Sequence, residues 1–150
     1  MIDTKAIKVL REKTGAGVLE INEALEKFNG DLKKVESALG KSALTKVFKK
    51  KDRIAGEGIV HAYVHTGGKA GTLVQLACET DFVAKTAEFQ NLAHELSLQV
   101  CTDDYDGVDG VLEAEYIRDP AKKVRDLIAE ASAKFGEKVE LVRFVRFVVH

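Results

Sequence analysis

The stretch "GEGIVHAYVHTGGKAGTLVQLAC", residues 56 to 78, decides how the chain is read, because its hydrophobic period is two while the residues before it follow a helical period. Val60, Ala62 and Val64 fall on one side of an extended segment and His61, Tyr63 and His65 on the other. Thr66-Gly67-Gly68-Lys69 supplies turn residues before a second apolar run. The pattern predicts a β-hairpin with strands near 57–66 and 70–79, and it predicts that the histidine side faces solvent.

Upstream, residues 4–40 predict three short helices. Ile7 and Leu10 mark the first, which halts at Thr14-Gly15-Ala16-Gly17; Leu19, Ile21, Leu25 and Phe28 mark the second, stopped by Asn29-Gly30. Asp31 caps the third, which carries Leu32, Val35, Ala38 and Leu39 on one face and ends at Gly40. Residues 41–55 predict a connecting helix with Leu44, Val47 and Phe48 at helical spacing, followed by the basic run Lys49-Lys50-Lys51.

Downstream, Thr86 is a candidate cap for a helix near 86–101 carrying Phe89, Leu92, Ala93, Leu96 and Val100. Residues 102–111 are acidic, but Val108 and Asp109 stand where a calcium loop requires a ligand and a glycine, so they predict a solvated connection. Asp119 and Pro120 predict the start of a helix that runs to Phe135 and stops at Gly136. A strand near 138–149 closes the chain, with Val139, Leu141, Arg143, Val145 and Phe147 alternating against Glu140, Val142, Phe144, Arg146 and Val148. The expected fold is therefore α+β: a three-helix unit with its linking helix over 1–52, then a domain over 53–150. In the latter, helices near 86–101 and 120–135 cover one face of a three-stranded antiparallel sheet.

Composition narrows the function. The 150 residues are 45% hydrophobic and 31% charged, which is ordinary for a globular chain with a real core. A formal net charge of −1 argues against direct nucleic-acid binding, leaving a module built on Lys46, Lys49, Lys50, Lys51 and Arg53 as the alternative function. Cys78 and Cys101 do not make a disulfide scaffold, and no apolar run is long enough to cross a membrane. The chain reads as soluble and cytoplasmic. Gly68-Lys69 lacks the other residues of a phosphate loop, and Gly15 and Gly17 follow no strand. No serine is paired with a histidine and a carboxylate, and His61 and His65 lack a third metal ligand. Neither enzyme chemistry, nor a cofactor, nor a metal is expected. Asp81 and Phe82, at the junction of strand and helix, fit either an aromatic packed under the hairpin or one presented to a protein partner.

The segments "LREKTGAGVLEINEAL" (10–25), "NGDLKKVESAL" (29–39), "RIAGEGIV" (53–60), "ACETDFVAKTAEFQNLA" (77–93) and "FGEKVELVRFVRF" (135–147) occur in an order that resembles the elongation factor Ts family. "TDFVA" and "RFVRF" are its most specific signatures. The resemblance implies a ubiquitin-associated-like helical module, a core domain, and guanine-nucleotide exchange on elongation factor Tu. It implies partner contacts at Arg11, Val18 and Leu19, and at Thr80, Asp81, Phe82 and Val83, with Phe82 acting as a wedge beside the partner's magnesium and phosphate site. Two departures stand out. Glu20-Ile21-Asn22-Glu23 replaces the family's usual Asp-Cys-Lys-Lys, and about ten residues between Cys101 and Leu112 replace a long insert. The missing half-core leaves one sheet face uncovered, from which a homodimer through that face is expected.

Overall fold

The computed structural model describes residues 3–49 and 52–150, with backbone alone for 44–49. The predicted basic contacts at Lys50 and Lys51, and the side chains of Leu44, Lys46, Val47, Phe48 and Lys49, lie outside the described residues.

Helix α1 (Thr4–Thr14) begins where the Asp3 carboxylate accepts from the Lys5 N–H at 2.9 Å, and it ends at Gly15 in the left-handed conformation, φ 70°. Helix α2 (Val18–Lys27) follows, and α3 (Leu32–Lys49) is longer than expected. The predicted stop at Gly40 does not occur, and residues 52–55 are not helical. Glycine costs a helix interior about 1 kcal/mol relative to alanine, which the packing of α3 against its neighbours overrides. Leu10, Ile21, Leu25, Val35 and Leu39 form the core of these helices.

The helical part is seated on the rest of the chain. A methyl group on Gly15 would lie 2.7 Å from Lys134 Cβ and 3.0 Å from the Glu130 carbonyl oxygen, both on α7 (Val124–Phe135). Only a residue without a side chain permits that approach.

The expected three-stranded antiparallel sheet is present, ordered β1 (Glu57–Val64), β2 (Ala70–Cys78), β5 (Glu140–Val148). Its helical cover comprises α4 (Asp81–Ala84), α5 (Ala87–Cys101), α6 (Gly107–Glu113) and α7. Val74, Leu76, Phe89, Leu96, Val100 and Val124 are fully buried between the layers. Gly58 is required in β1, because at φ 150° any Cβ there would fall 2.1 Å from the Leu76 carbonyl oxygen.

Four further expectations are corrected. First, the histidine side of β1 is the covered one: His61 Nε2 lies 3.1 Å from His94 Nδ1 on α5, and the Tyr63 ring meets His94 edge-on. Val60 and Val64 point to solvent instead. His and Tyr have apolar bodies, and here each satisfies its polar atoms with a neighbouring ring, so they bury readily against a helix. Second, residues 107–113 form α6 and bury Val111, with Val108 and Leu112 packed beside it. That apolar spacing of three and four was present under the acidic composition. Third, Asp119 and Pro120 begin a short strand β4 (Asp119–Lys123) paired with β3 (Glu115–Tyr116). The Asp119 carboxylate accepts from the Ala121 N–H, and α7 starts later, where the Asp126 carboxylate accepts from the Lys123 N–H at 3.0 Å. Proline is tolerated in such a short strand pair. Fourth, the alternation assigned to the last strand is broken by a bulge. Gln75 pairs with Arg143 and Leu76 with Leu141, so Val142 is extra. Leu141 enters the core while Arg143, Val145 and Phe147 turn outward.

Candidate docking site

The apolar stretch of β2 ends at Cys78, whose thiol donates to the Thr80 carbonyl oxygen at 3.1 Å and is pushed up from its ordinary pKa by burial, then by the Glu137 charge. Thr80 has extended backbone and caps the single turn α4, its hydroxyl accepting from the Val83 N–H. A second threonine follows at once: Thr86 caps α5, accepting from the Phe89 N–H at 3.2 Å. Two caps six residues apart force a separate short turn between sheet and helix.

Within that turn Val83 packs on the core and Ala84 is buried, so the helical sweep carries residue 82 to the other side. The Phe82 ring is 82% exposed. Asp81 is exposed as well and pairs with Lys85 across one turn at 3.1 Å. Of the two readings open for Phe82, packing under the hairpin is thereby excluded. Thr80 and Val83 have their side chains turned inward, beneath the exposed pair.

The turn is fixed from the other end of the chain. Glu137, after the Gly136 stop of α7, accepts through Oε1 from the N–H groups of Glu79 and Thr80 at 3.1 and 3.0 Å, and through Oε2 from the Thr80 hydroxyl at 2.7 Å. Glu79 answers with its own carboxylate, accepting from the Lys138 N–H at 2.8 Å and lying 3.5 Å from the Arg53 guanidinium. Arg53 also donates to the Gly136 carbonyl oxygen. It is thus tied to Glu79 and to the segment that follows α7. Sequence reasoning missed Glu137 and Glu79 as organising groups. Both stand inside the quoted family segments, but nothing local announces a partner 57 residues away.

The other expected contacts lie on the helical part. Ala16 is buried and Gly17 is the cap of α2, so the first helical residues, Val18 and Leu19, emerge toward solvent while Ile21 and Leu25 turn inward. Leu19 is 72% exposed, and Arg11 is exposed at the end of α1. The departure at Asn22 leaves its Oδ1 without a hydrogen-bond partner among the described residues.

The shortened connection is held by Gln99, fully buried on α5. Its Nε2 donates to the Tyr105 hydroxyl and to the Glu115 carbonyl oxygen, and its Oε1 accepts from the Ile117 N–H. Beside it, Glu95 accepts from the Tyr116 hydroxyl and pairs with Arg118; burial, then the Glu95 charge, push Tyr116 up to about 12.

Among the described residues, no three His, Cys, Asp or Glu side chains cluster as a metal site would require. His61 is engaged with His94, and His65 with the Tyr63 hydroxyl. Among the same residues, no helix is long and apolar enough to cross a membrane. Exposed aromatic and aliphatic side chains of this kind, on a braced turn and at a helix start, are common on surfaces that bind other macromolecules.

Residues 79–150 match the family described as elongation factor TS. The chain is 37% identical to elongation factor Ts of Thermoanaerobacter sp. (strain X514), covering 98% of this chain and 94% of that protein. It is 35% identical to elongation factor Ts of Moorella thermoacetica, covering 99% and 96%. Identity to the Clostridium botulinum (strain ATCC 19397 / Type A) factor is 41%, over 99% of this chain but 48% of that longer protein. The chain belongs to the elongation factor Ts family of translation elongation factors. The Thermoanaerobacter alignment extends over 192 positions against the 150 residues here, so that relative carries residues this chain lacks.

Proposed function

We propose that this protein is a guanine-nucleotide exchange factor for elongation factor Tu, working in the cytoplasm without an active site of its own. The observation that carries the reading is Phe82: a large apolar ring held in solvent on a turn capped by Thr80 and braced by Glu137. In this mechanism residues 1–52 are a partner-binding module that docks through Arg11, Val18 and Leu19, while residues 53–150 are the core domain that presents Asp81 and Phe82. Thr80 and Val83 support that turn from beneath. The ring enters between helices of elongation factor Tu beside the magnesium and phosphate site, and contacts made only in that opened state loosen the nucleotide. By linkage, a factor that prefers the nucleotide-free partner weakens nucleotide binding by the same coupling free energy. Release of fluorescent GDP from elongation factor Tu, with and without the protein, tests the proposal; no acceleration at micromolar factor refutes it.

The open sheet face supports a second reading. Val60, Val64, Leu73, Val145 and Phe147 are exposed there, and Phe147 is 73% in solvent. Such a surface favours a covering layer, and we assign that layer to a second copy of the chain.

A further inference from the structure

Strand pairing between β2 and β5 ends at Ala77 and Glu140. Beyond it the two strands part, and the backbone N–H groups of Glu79, Thr80 and Lys138 no longer have a strand to donate to. Two carboxylates replace the ladder reciprocally. Glu137 receives three donors from Glu79 and Thr80, and Glu79 receives the Lys138 N–H. The Glu137 backbone is itself held, its carbonyl oxygen accepting from the Ser132 hydroxyl at 2.6 Å. Hydrogen bonds to an ionised carboxylate are shorter and stronger than those between neutral groups.

Thr80 is the pivot of this arrangement. Its N–H and hydroxyl hydrogen both go to Glu137, which leaves the hydroxyl oxygen lone pair aimed at the Val83 N–H. The cap of α4, and with it the direction of the next two side chains, therefore depends on a residue whose side chain bonds to Glu79 and Thr80 from 58 and 57 positions further along the chain.

We propose that Glu137 is a positioning residue for nucleotide exchange, an inference that rests on the exchange function above. It holds Thr80 so that Phe82 is already pointed outward before the partner arrives. Ordering a turn at the moment of binding subtracts from affinity, and a turn ordered in advance avoids that loss. Glu137→Ala removes both acceptor oxygens and with them all three hydrogen bonds. Glu137→Gln keeps an amide oxygen for the two backbone donors and presents an N–H to the Thr80 hydroxyl oxygen.

The test is a double-mutant cycle on stimulated GDP release from elongation factor Tu, using the full chain. Glu137→Ala is expected to slow release roughly tenfold per folded molecule, with Glu137→Gln within about threefold of the wild type. In a Phe82→Ala background Glu137→Ala should cost much less than in the wild type, because of the two side chains it positions only Asp81 remains. Equal losses in both backgrounds, or losses that merely track the folded fraction, overturn the positioning role. If the wild type fails to accelerate release, or Phe82→Ala is as fast as wild type, the exchange reading itself has failed. Amide hydrogen exchange at Glu79 and Thr80 then decides the brace alone: protection lost in Glu137→Ala and kept in Glu137→Gln supports it, and unchanged protection in Glu137→Ala overturns it.

Discussion

Replacing Phe82 by alanine separates a docking residue from a structural one. A phenylalanine offers roughly 200 Å² of surface. With 82% of it in solvent, less than a fifth is buried in the free protein. At about 25 cal/mol per Å² the fold loses at most about 1 kcal/mol, and a domain of this size then melts lower by no more than about 4 °C. If the ring is covered by a partner, the remaining area carries up to about 4 kcal/mol before ordering costs, and truncated aromatic anchors commonly cost about 2–4 kcal/mol. Each 1.4 kcal/mol is tenfold, so stimulated GDP release should slow by at least about tenfold. The assay follows fluorescent GDP leaving elongation factor Tu at several factor concentrations, with thermal unfolding measured on the same sample. Phe82→Leu should fall between alanine and wild type. Exchange unchanged per folded molecule, together with a melting temperature lowered well beyond the estimate, would refute the reasoning.

Gln99→Leu removes three hydrogen bonds and leaves the Ile117 N–H without an acceptor, so urea unfolding should show a loss of about 2–4 kcal/mol. Gly15→Ala places a methyl against Lys134 Cβ and the Glu130 carbonyl in a left-handed conformation; a loss of about 1–3 kcal/mol is expected, with earlier proteolytic cutting between α3 and β1. His61 titrates below its ordinary value of 6.5, because burial disfavours the charged ring and His94 adds like charge. The unfolded chain therefore takes the proton more readily, so stability is full above that value and falls as the pH drops below it; His61→Gln should flatten the decline in melting temperature between about pH 7 and pH 5. Sedimentation at micromolar concentration should show dimer, and Phe147→Lys should return monomer if the open sheet face is the interface.

Much of the fold was legible because its elements announce themselves locally. The hairpin at Thr66-Gly67-Gly68-Lys69, the Thr86 cap and the Gly136 stop all stand where they were expected. The errors share a cause: each residue was assigned from its neighbours in sequence while its fate was set by a distant surface. Gly40 stays helical because Val35, Leu39 and Ala43 on either side of it are buried, and His61 goes inside because His94 is there to receive it. Asp119 looked like a cap, and it does accept a backbone N–H, but within a turn of strand. At the site, periodicity left Phe82 undecided between core and surface, and the inward packing of Val83 and Ala84 settled its direction. Glu137 was unreadable for the opposite reason, since its partners are brought to it only by the pairing of β2 with β5.

The extra residue at Val142 works as a phase shifter. In a strand, sidedness is a matter of odd and even, and a single additional residue exchanges the two. Upstream of the bulge the odd-numbered Val139 and Leu141 belong to the interior; downstream the odd-numbered Val145 and Phe147 belong to the open face. One strand thereby answers to two surfaces with opposite counting rules. Straightening the bulge with Val142 retained must either withdraw Leu141 from the core or rotate Val145 and Phe147 inward, whereas deleting Val142 itself restores regular alternation and leaves both surfaces as they are.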